Sequence, residues 1–549
     1  MRYLRSKKEV RRHGKTDRAD HAFAGDHSAS ASILTKLIGF FYRIPMANLL
    51  GSEGNGLYSV AYNIYNIALT LSSCSLPLAV SKLVSARLAR GERRNARRVF
   101  WDTVLFAVVM GGIAAVVLWT GADWLEKFYD RDGLAIPLRV LAPTTFVVAL
   151  LGTFRGWFQG HGSMVPTALS QILEQVVNAV VSLVAAWQLM QLHAAENTAA
   201  YGAAGGTTGT LAGAAMGLLL VVFLFTRERR PRRAYLEQPE DHAQIYKALV
   251  LTVIPVILSQ TVYQIGNTLD DLIFGNLMAL KGVAEEEVTA LLGVFNTQYN
   301  QLVNLPVAVA TAMAASTVPG IVSALTAGDR RQAHRKISAV VKLNMAVAIP
   351  AAVGLAVLAG PMMRLLFPAL AEDHGLAARL LETGSWATIF YALSTITTSI
   401  LQASDHMLLP VGHCAVSLGI HVALVCALLW FTDLGVYSLI IGNVTFPALV
   451  SVLNCLAVRR KLHYRWHLGR TFVVPALCAA CMGVVTWGSD ALLELIHCPG
   501  ILALVVSVAL SVVVYGVLLL KLHCFSDKQL SDLPMGGKLL ALSRRLDRR

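Results

Sequence analysis

Two cations stand in the first long apolar run of the chain: Lys36 and Arg43, seven residues apart, with Gly39 between them and Pro45 just beyond. Seven residues are close to two helical turns, so both side chains leave nearly the same face. An ionisable group at mid-bilayer costs about 2.5 to 3.5 kcal/mol even on permissive insertion scales, so it normally faces a cavity or a partner. The pair can form a cationic wall for a phosphate, arginine offering a bidentate fork and lysine a point charge. The competing reading has Arg43 snorkelling to an interface and Lys36 paired with an acid on a neighbouring helix.

Uncharged polar residues recur in three other apolar runs. Gln260, Gln264, Asn267 and Asp271 follow one another at spacings of four, three and four, with Asp270 adjacent, which makes one polar stripe on a helix. Asn296, Gln298, Asn300, Gln301 and Asn304 mark the next run, and Tyr58, Tyr62, Tyr65, Asn63 and Asn66 mark the second. These stripes suit a hydrated central cleft in which Tyr62, Asn63, Gln264, Asn267 and Asn300 join the two cations in binding. They also suit interhelical hydrogen bonds that only hold a bundle together. A further run carries Gln171, Glu174, Gln175 and Asn178 on one face. Glu174, Asp270 and Asp271 are the candidates for coupling to a proton or cation, with Glu174 equally suited as counter-ion to Lys36. Arg155, at a turn, reads as a membrane-surface anchor.

No phosphate-binding glycine loop, no nucleophile elbow and no metal-binding histidine pair occurs, so no enzymatic activity, cofactor or metal is expected and any work must draw on gradients or membrane potential. Cys478 and Cys481 form a lone CxxC inside an apolar run, which reads as helix packing.

The elements that must position these groups are transmembrane helices. Of 549 residues 55% are hydrophobic and 15% charged, with mean hydropathy +0.57, too apolar for a soluble chain of this length. A span takes about 20 apolar residues. Apolar runs between charged breaks place spans at 29–50, 57–81, 99–120, 134–154, 165–190, 203–226, 246–278, 289–325, 337–363, 376–403, 407–431, 434–458, 470–489 and 499–520. The run through 291–328 exceeds one span, and Pro306 and Pro319 are expected to break or tilt it.

The net charge of +14 is gathered at span ends, not in one domain, which argues against nucleic acid as a partner. Basic connections (82–98, 227–233, 330–336, 459–470) alternate with acidic or neutral ones, the positive-inside pattern of a cell-membrane protein with both termini cytoplasmic.

The chain also repeats itself. Gly91-Glu-Arg-Arg-Asn-Ala-Arg-Arg98 is echoed by Gly328-Asp-Arg-Arg-Gln-Ala-His-Arg335, and Tyr62-Asn63 by Tyr299-Asn300, both at an offset of 237; Phe158-Gln159 and Met164 are echoed by Leu401-Gln402 and Met407 at an offset of 243. The expected fold is all-α: a basic tail (1–28), an N-lobe of six spans (29–233), a parallel C-lobe of six (234–461), two further spans (462–522) and a basic tail (523–549). Transporters place substrate between such repeats.

Ile33-Leu-Thr-Lys-Leu-Ile-Gly-Phe-Phe-Tyr-Arg-Ile-Pro45, Leu50-Gly-Ser-Glu-Gly-Asn-Gly-Leu-Tyr58, Pro77-Leu-Ala-Val-Ser-Lys-Leu-Val84, Arg155-Gly-Trp-Phe-Gln-Gly-His-Gly162 and Pro166-Thr-Ala-Leu-Ser-Gln-Ile-Leu-Glu-Gln175 resemble the stage V sporulation protein B and MurJ-like group of polysaccharide-export flippases. The resemblance covers essentially the whole chain. It implies the multidrug/oligosaccharidyl-lipid/polysaccharide exporter fold, alternating access to a cationic cavity, and lipid II as cargo, an undecaprenyl-diphosphate-linked peptidoglycan precursor. MurJ-like members carry cavity arginines on the first helix; the matching positions here are Lys36 and, with spacing different by one residue, Arg43. The last two spans resemble those that form a lipid-tail groove in that group.

The expected function is therefore flipping of a lipid-linked anionic cell-wall precursor by a monomer in contact with membrane lipids and cell-wall synthesis proteins, in growth or sporulation. The rivals are a cation-coupled multidrug exporter of the same fold and a flippase for another lipid-linked oligosaccharide. A membrane glycosyltransferase would need acidic groups on large external loops, and the outward connections here are short.

Overall fold

The computed structural model describes residues 2–73, 75–194, 197–228, 238–326, 328–522, 524–525 and 544–545; the backbone alone is described at 2–34, 36–37, 255–256, 258–260, 262–264, 267, 312, 314–320, 323 and 326. Among the described residues there is no strand. The helices are α1 (Arg2–Ser72), α2 (Leu76–Ala89), α3 (Arg93–Tyr129), α4 (Ala135–Gly160), α5 (Val165–Leu192), α6 (Thr198–Arg227), α7 (His242–Leu280), α8 (Glu285–Gly293), α9 (Asn300–Thr326), α10 (Arg330–Val357), α11 (Ala359–Leu366), α12 (His374–Gly384), α13 (Ala387–Ala403), α14 (Leu408–Phe431), α15 (Tyr437–Leu462), α16 (Val474–Leu495) and α17 (Gly500–Lys521). Backbone polar groups must be satisfied internally in hydrocarbon, and an all-helical chain achieves this.

Ten of these stretches are long and apolar enough to cross a membrane among the described residues, one of them (Ile38–Ala89) holding the first two expected spans. The seventh and eighth expected spans, in α7 and α8–α9, include undescribed side chains. The tenth is divided at Ser385–Trp386 into α12 and α13. Large apolar side chains such as Val117, Trp124, Val484 and Val512 are exposed along the helices, the outward-facing surface that lipid tails cover.

The backbone is helical from Arg2 through 1–28, the stretch expected as a basic tail; its side chains and most of 523–549 lie outside the described residues. Two expectations change. The turn between the first two spans is one residue sharp, at Gly51 (φ 71°, ψ 176°), a conformation that the absence of a Cβ allows. The irregularity in the eighth span is a π-helical segment at Val294–Tyr299, and α9 runs through Pro306 and Pro319 without interruption. One extra residue per turn there re-aims Asn296, Gln298 and Tyr299, and such segments recur at functional sites.

The chain divides into two compact units, Met1–Leu50 with Leu57–Thr268, and Gly51–Gly56 with Leu269–Arg549. This division runs inside α7, whereas the internal repeat separates the lobes near 233. The reason is local packing: Ile245, Leu249 and Val253 of α7 are buried with Phe100, Phe154, Trp157 and Phe158 of the first unit. Also in that unit, α6 lies close on α5 because Gly209 and Gly213 present no side chain: a Cβ at Gly209 would meet the Ser182 nitrogen at 2.6 Å, and one at Gly213 the Glu174 carbonyl at 2.5 Å. The second unit is built around Ile337, Met345, Ile396, Leu401 and Met482.

Candidate functional site

In the first unit Arg43 is exposed along α1 while Tyr42 beside it is buried. Its guanidinium carbon stands 5.9 Å from the centre of the Tyr62 ring, and the Tyr42 phenol lies close beside it. Tyr58, Tyr62 and Tyr65 form an aromatic ladder, with ring centres 5.3 and 5.5 Å apart. The Tyr62 hydroxyl lies 3.4 Å from Thr210 Oγ1. Asn178 Nδ2 donates to the Tyr42 hydroxyl at 3.2 Å, and Ser182 Oγ holds Asn178 Oδ1 at 2.9 Å. The close approach of α5 and α6 thus fixes the tyrosine that orients Arg43. Among the described residues no carboxylate pairs with Arg43, so its charge is available to an anion. Aromatic faces hold a guanidinium without neutralising it.

Glu174 does not share that role. Arg155 Nη2 donates to Glu174 Oε2 at 2.6 Å and Arg155 Nε to Ser170 Oγ at 2.8 Å, with both side chains of the ion pair half-buried. Arg155 is therefore a structural counter-ion inside the first unit and not a surface anchor. Tyr62 and Asn63 are both half-buried on α1. The side chains of Lys36, Gln264 and Asn267 lie outside the described residues. An apolar groove of about 480 Å³ lies in the same unit, with Ile64, Leu71, Ile113 and Val117 among its walls.

In the second unit the polar residues form two strings. The first is directional: the Tyr299 hydroxyl shares its one hydrogen between the Gly384 carbonyl (3.0 Å) and Asn443 Oδ1 (3.3 Å), and Asn443 Nδ2 donates to Asn300 Oδ1 (3.2 Å), Asn300 Nδ2 to Asn296 Oδ1 (3.3 Å), and Asn296 Nδ2 to Asp271 Oδ1 (3.0 Å). Every amide points its donor toward one carboxylate, and bonds aligned this way polarise one another.

The second string starts one residue away. His421 Nε2 lies 2.7 Å from Asp270 Oδ1, and His421 Nδ1 lies 3.1 Å from the Gly442 carbonyl. A carbonyl only accepts, so Nδ1 carries a hydrogen. One more proton must then sit between Nε2 and the carboxyl: either His421 is cationic and Asp270 ionised, or both are neutral. The pair is buried, with side chains 4% and 9% exposed. Asp270 abuts Asp271 and Gly442 abuts Asn443, so the strings are joined through backbone at both ends.

His421, Gly442 and Asn443 were not singled out from the sequence. The signal for His421 was an ionisable side chain inside the apolar run 407–431. Among the described residues no group of three or more His, Cys, Asp or Glu side chains could hold a metal; Cys478 is buried and Cys481 exposed, both as free thiols.

The model of the family described as polysaccharide biosynthesis protein matches residues 27–325, more than half of the chain. The chain belongs to that family. The MatE family model also matches, over residues 255–426. The polysaccharide biosynthesis assignment agrees with whole-chain similarity: stage V sporulation protein B of Bacillus subtilis (strain 168) is 24% identical over 93% of this chain and 97% of its own length. Lipid II flippase MurJ of the same organism is 26% identical over 67% of this chain and 70% of its own. Among solved structures, lipid II flippase MurJ in an inward closed conformation covers 90% of this chain and 98% of its own at TM-score 0.66 and 12% identity. An inward-facing multidrug resistance MATE family transporter of the MOP superfamily matches at TM-score 0.66, 15% identity, over 78% of this chain and 94% of its own. The fold of this multi-pass membrane protein is therefore the exporter fold that the sequence motifs implied.

Proposed function

We propose that this protein is a flippase that moves an undecaprenyl-diphosphate-linked cell-wall precursor, lipid II first among the candidates, across the cytoplasmic membrane by alternating access. The observation that carries the reading is Arg43, accessible, held by Tyr42 and Tyr62, and without a carboxylate partner among the described residues. An arginine so placed suits a diphosphate, and Lys36, two turns earlier in the sequence, supplies a second positive charge. The names of the relatives support the substrate class: one is a lipid II flippase and another a sporulation protein. The prenyl tail has two apolar surfaces to follow, the groove beside Ile64 and Val117 and the exposed faces of α16 and α17. With both termini cytoplasmic and the cytoplasm negative, each net negative charge carried outward gains about 2.3 kcal/mol per 100 mV, and the emptied cationic site returns inward down the same field.

The test is complementation of a flippase-depleted strain. Wild type restores growth and the double variant Lys36→Ala/Arg43→Ala does not, although it reaches the membrane at equal abundance. Normal growth with the double variant removes the cation pair from the mechanism. The second reading, a cation-coupled exporter of small molecules, is favoured by one observation, the buried Asp270–His421 pair. It requires deletion to change drug resistance without a cell-wall phenotype.

A further inference from the structure

A polar cavity lies wholly within the second unit, and no residue of the two polar strings is in its walls. It occupies about 710 Å³ in the connection after α15, with Arg459, His463, Arg465, Trp466, Leu468 and Phe472 in its walls. Two of the stretches able to cross a membrane, Tyr437–Leu462 and Gly469–Leu495, end and begin on either side of it. The cavity therefore sits at the level where hydrocarbon gives way to water.

Its chemistry is divided. Arg459, His463 and Arg465 are exposed, and among the described residues neither arginine has an ion-pair partner. Leu468, 62% exposed, and Phe472 give it an apolar side toward the start of α16. Between them the wall is braced. Trp466 donates its indole N–H to the Cys455 carbonyl at 3.2 Å, the Tyr464 and Trp466 rings meet edge to face at 5.1 Å, and His334 packs edge-on against Tyr464 at 5.6 Å while its Nε2 reaches the Leu462 carbonyl at 2.8 Å. His463 ends α15 in the left-handed region (φ 54°, ψ 31°), which side-chain-bearing residues adopt at a cost. That turn reverses the chain so that 464–466 fold back over Cys455. Burial raises the Tyr464 hydroxyl above the ordinary phenol value, so it stays uncharged at neutral pH and the lining carries no negative group.

We propose that this cavity binds the headgroup of an anionic membrane phospholipid. Arg459 and Arg465 clamp its phosphate, Trp466 lies at the glycerol level, and Leu468 and Phe472 meet the first methylenes of an acyl chain. A free phosphate would use the arginines but leave the apolar side unoccupied. A headgroup with its tail uses both and arrives from the membrane surface at which the two spans end. Occupancy ties α15 to α16 at their shared end, beside the Cys524 thiol, which donates to the Arg470 carbonyl at 3.3 Å. The site needs neither the cargo nor the cation pair, so it stands independently of the flippase reading.

The experiment titrates phosphatidylglycerol onto the full-length protein in phosphatidylcholine nanodiscs and counts retained lipids by native mass spectrometry, with inorganic phosphate as a parallel titrant. Wild type is expected to retain one tightly held phosphatidylglycerol, and Arg459→Gln/Arg465→Gln to hold it about 25-fold more weakly, each basic residue near an anionic headgroup contributing about fivefold. Leu468→Glu, at an exposed position, should weaken retention by like-charge repulsion while leaving the thermal midpoint in pure phosphatidylcholine unchanged. Equal retention by wild type and both variants overturns the site. Competition by inorganic phosphate as effective as that by phosphatidylglycerol overturns the assignment to a lipid.

Discussion

His421 and Asp270, 151 residues apart in sequence, meet at 2.7 Å in the buried interior of the second unit. Because the Gly442 carbonyl commits the other ring nitrogen to donate, the two replacements at this contact are not equivalent. Asp270→Asn can donate its amide to Nε2 and keep the contact, so its stability is expected within about 1 kcal/mol of wild type. His421→Ala strands a buried carboxyl and is expected to cost about 3 to 5 kcal/mol. Thermal midpoints of the purified variants decide between them, and a greater loss from Asp270→Asn would refute the assignment of the shared proton.

Asn443 is the second member of the directional string, receiving from Tyr299 and giving to Asn300. Asn443→Leu leaves the Asn300 amide oxygen without its donor, at about 1 to 3 kcal/mol, while the Tyr299 hydroxyl keeps the Gly384 carbonyl. Tyr299→Phe removes a single hydroxyl and should cost less, about 0.5 to 1.5 kcal/mol. Reversal of that order in unfolding measurements would show that the string is not continuous.

For Arg43 the ring of Tyr62 matters more than its hydroxyl, whose contact with Thr210 is 3.4 Å long. Tyr62→Phe should retain transport within about twofold, whereas Tyr62→Ala should lower it by roughly two- to fivefold, the factor expected for one exposed cation–π contact. Arg43→Lys should fall between wild type and Arg43→Ala, since a point charge replaces a fork. Translocation of a fluorescent lipid-linked sugar in proteoliposomes is the readout, and equal rates for Tyr62→Phe and Tyr62→Ala would remove the stacking argument.

The approach of α5 and α6 supplies a packing test. Gly209→Val forces atoms against the Ser182 nitrogen, with overpacking expected at about 1 to 3 kcal/mol or more, while Gly217→Ala meets its nearest atom, the Ser170 carbonyl oxygen, at 3.4 Å and should be tolerated. Membrane yield and thermal midpoint should fall for the first variant alone. Loss of Arg43-dependent transport in Gly209→Val, at matched protein amount, would follow from displacement of Asn178 and Tyr42.

The spans were legible because hydrocarbon imposes length and apolarity directly on the sequence. Local exceptions escaped: a Gly51 corner, a π-helical turn and a division at Ser385 each depend on a few backbone angles that hydropathy averages away. The polar residues of two successive runs, Asp271 in one and Asn296 and Asn300 in the next, were visible in the sequence, and these side chains do join in one string. Its continuation to Asn443, and the Asp270–His421 contact, required knowing which helices face each other. Arg155 was misread for the same reason: next to Gly156 at a turn it looks like a surface anchor, and only the packing of α4 with α5 brings Glu174 to it.

The one-proton reading of Asp270 and His421 has an electrical consequence. Passing that proton from one partner to the other changes the dipole but not the net charge, so transfer within the pair does almost no work against the transmembrane voltage. Departure of the proton leaves the pair with a net negative charge, and that event, unlike transfer within the pair, responds to the field. Voltage and acidity are thereby tied to one bond, and a change in either shifts the same equilibrium.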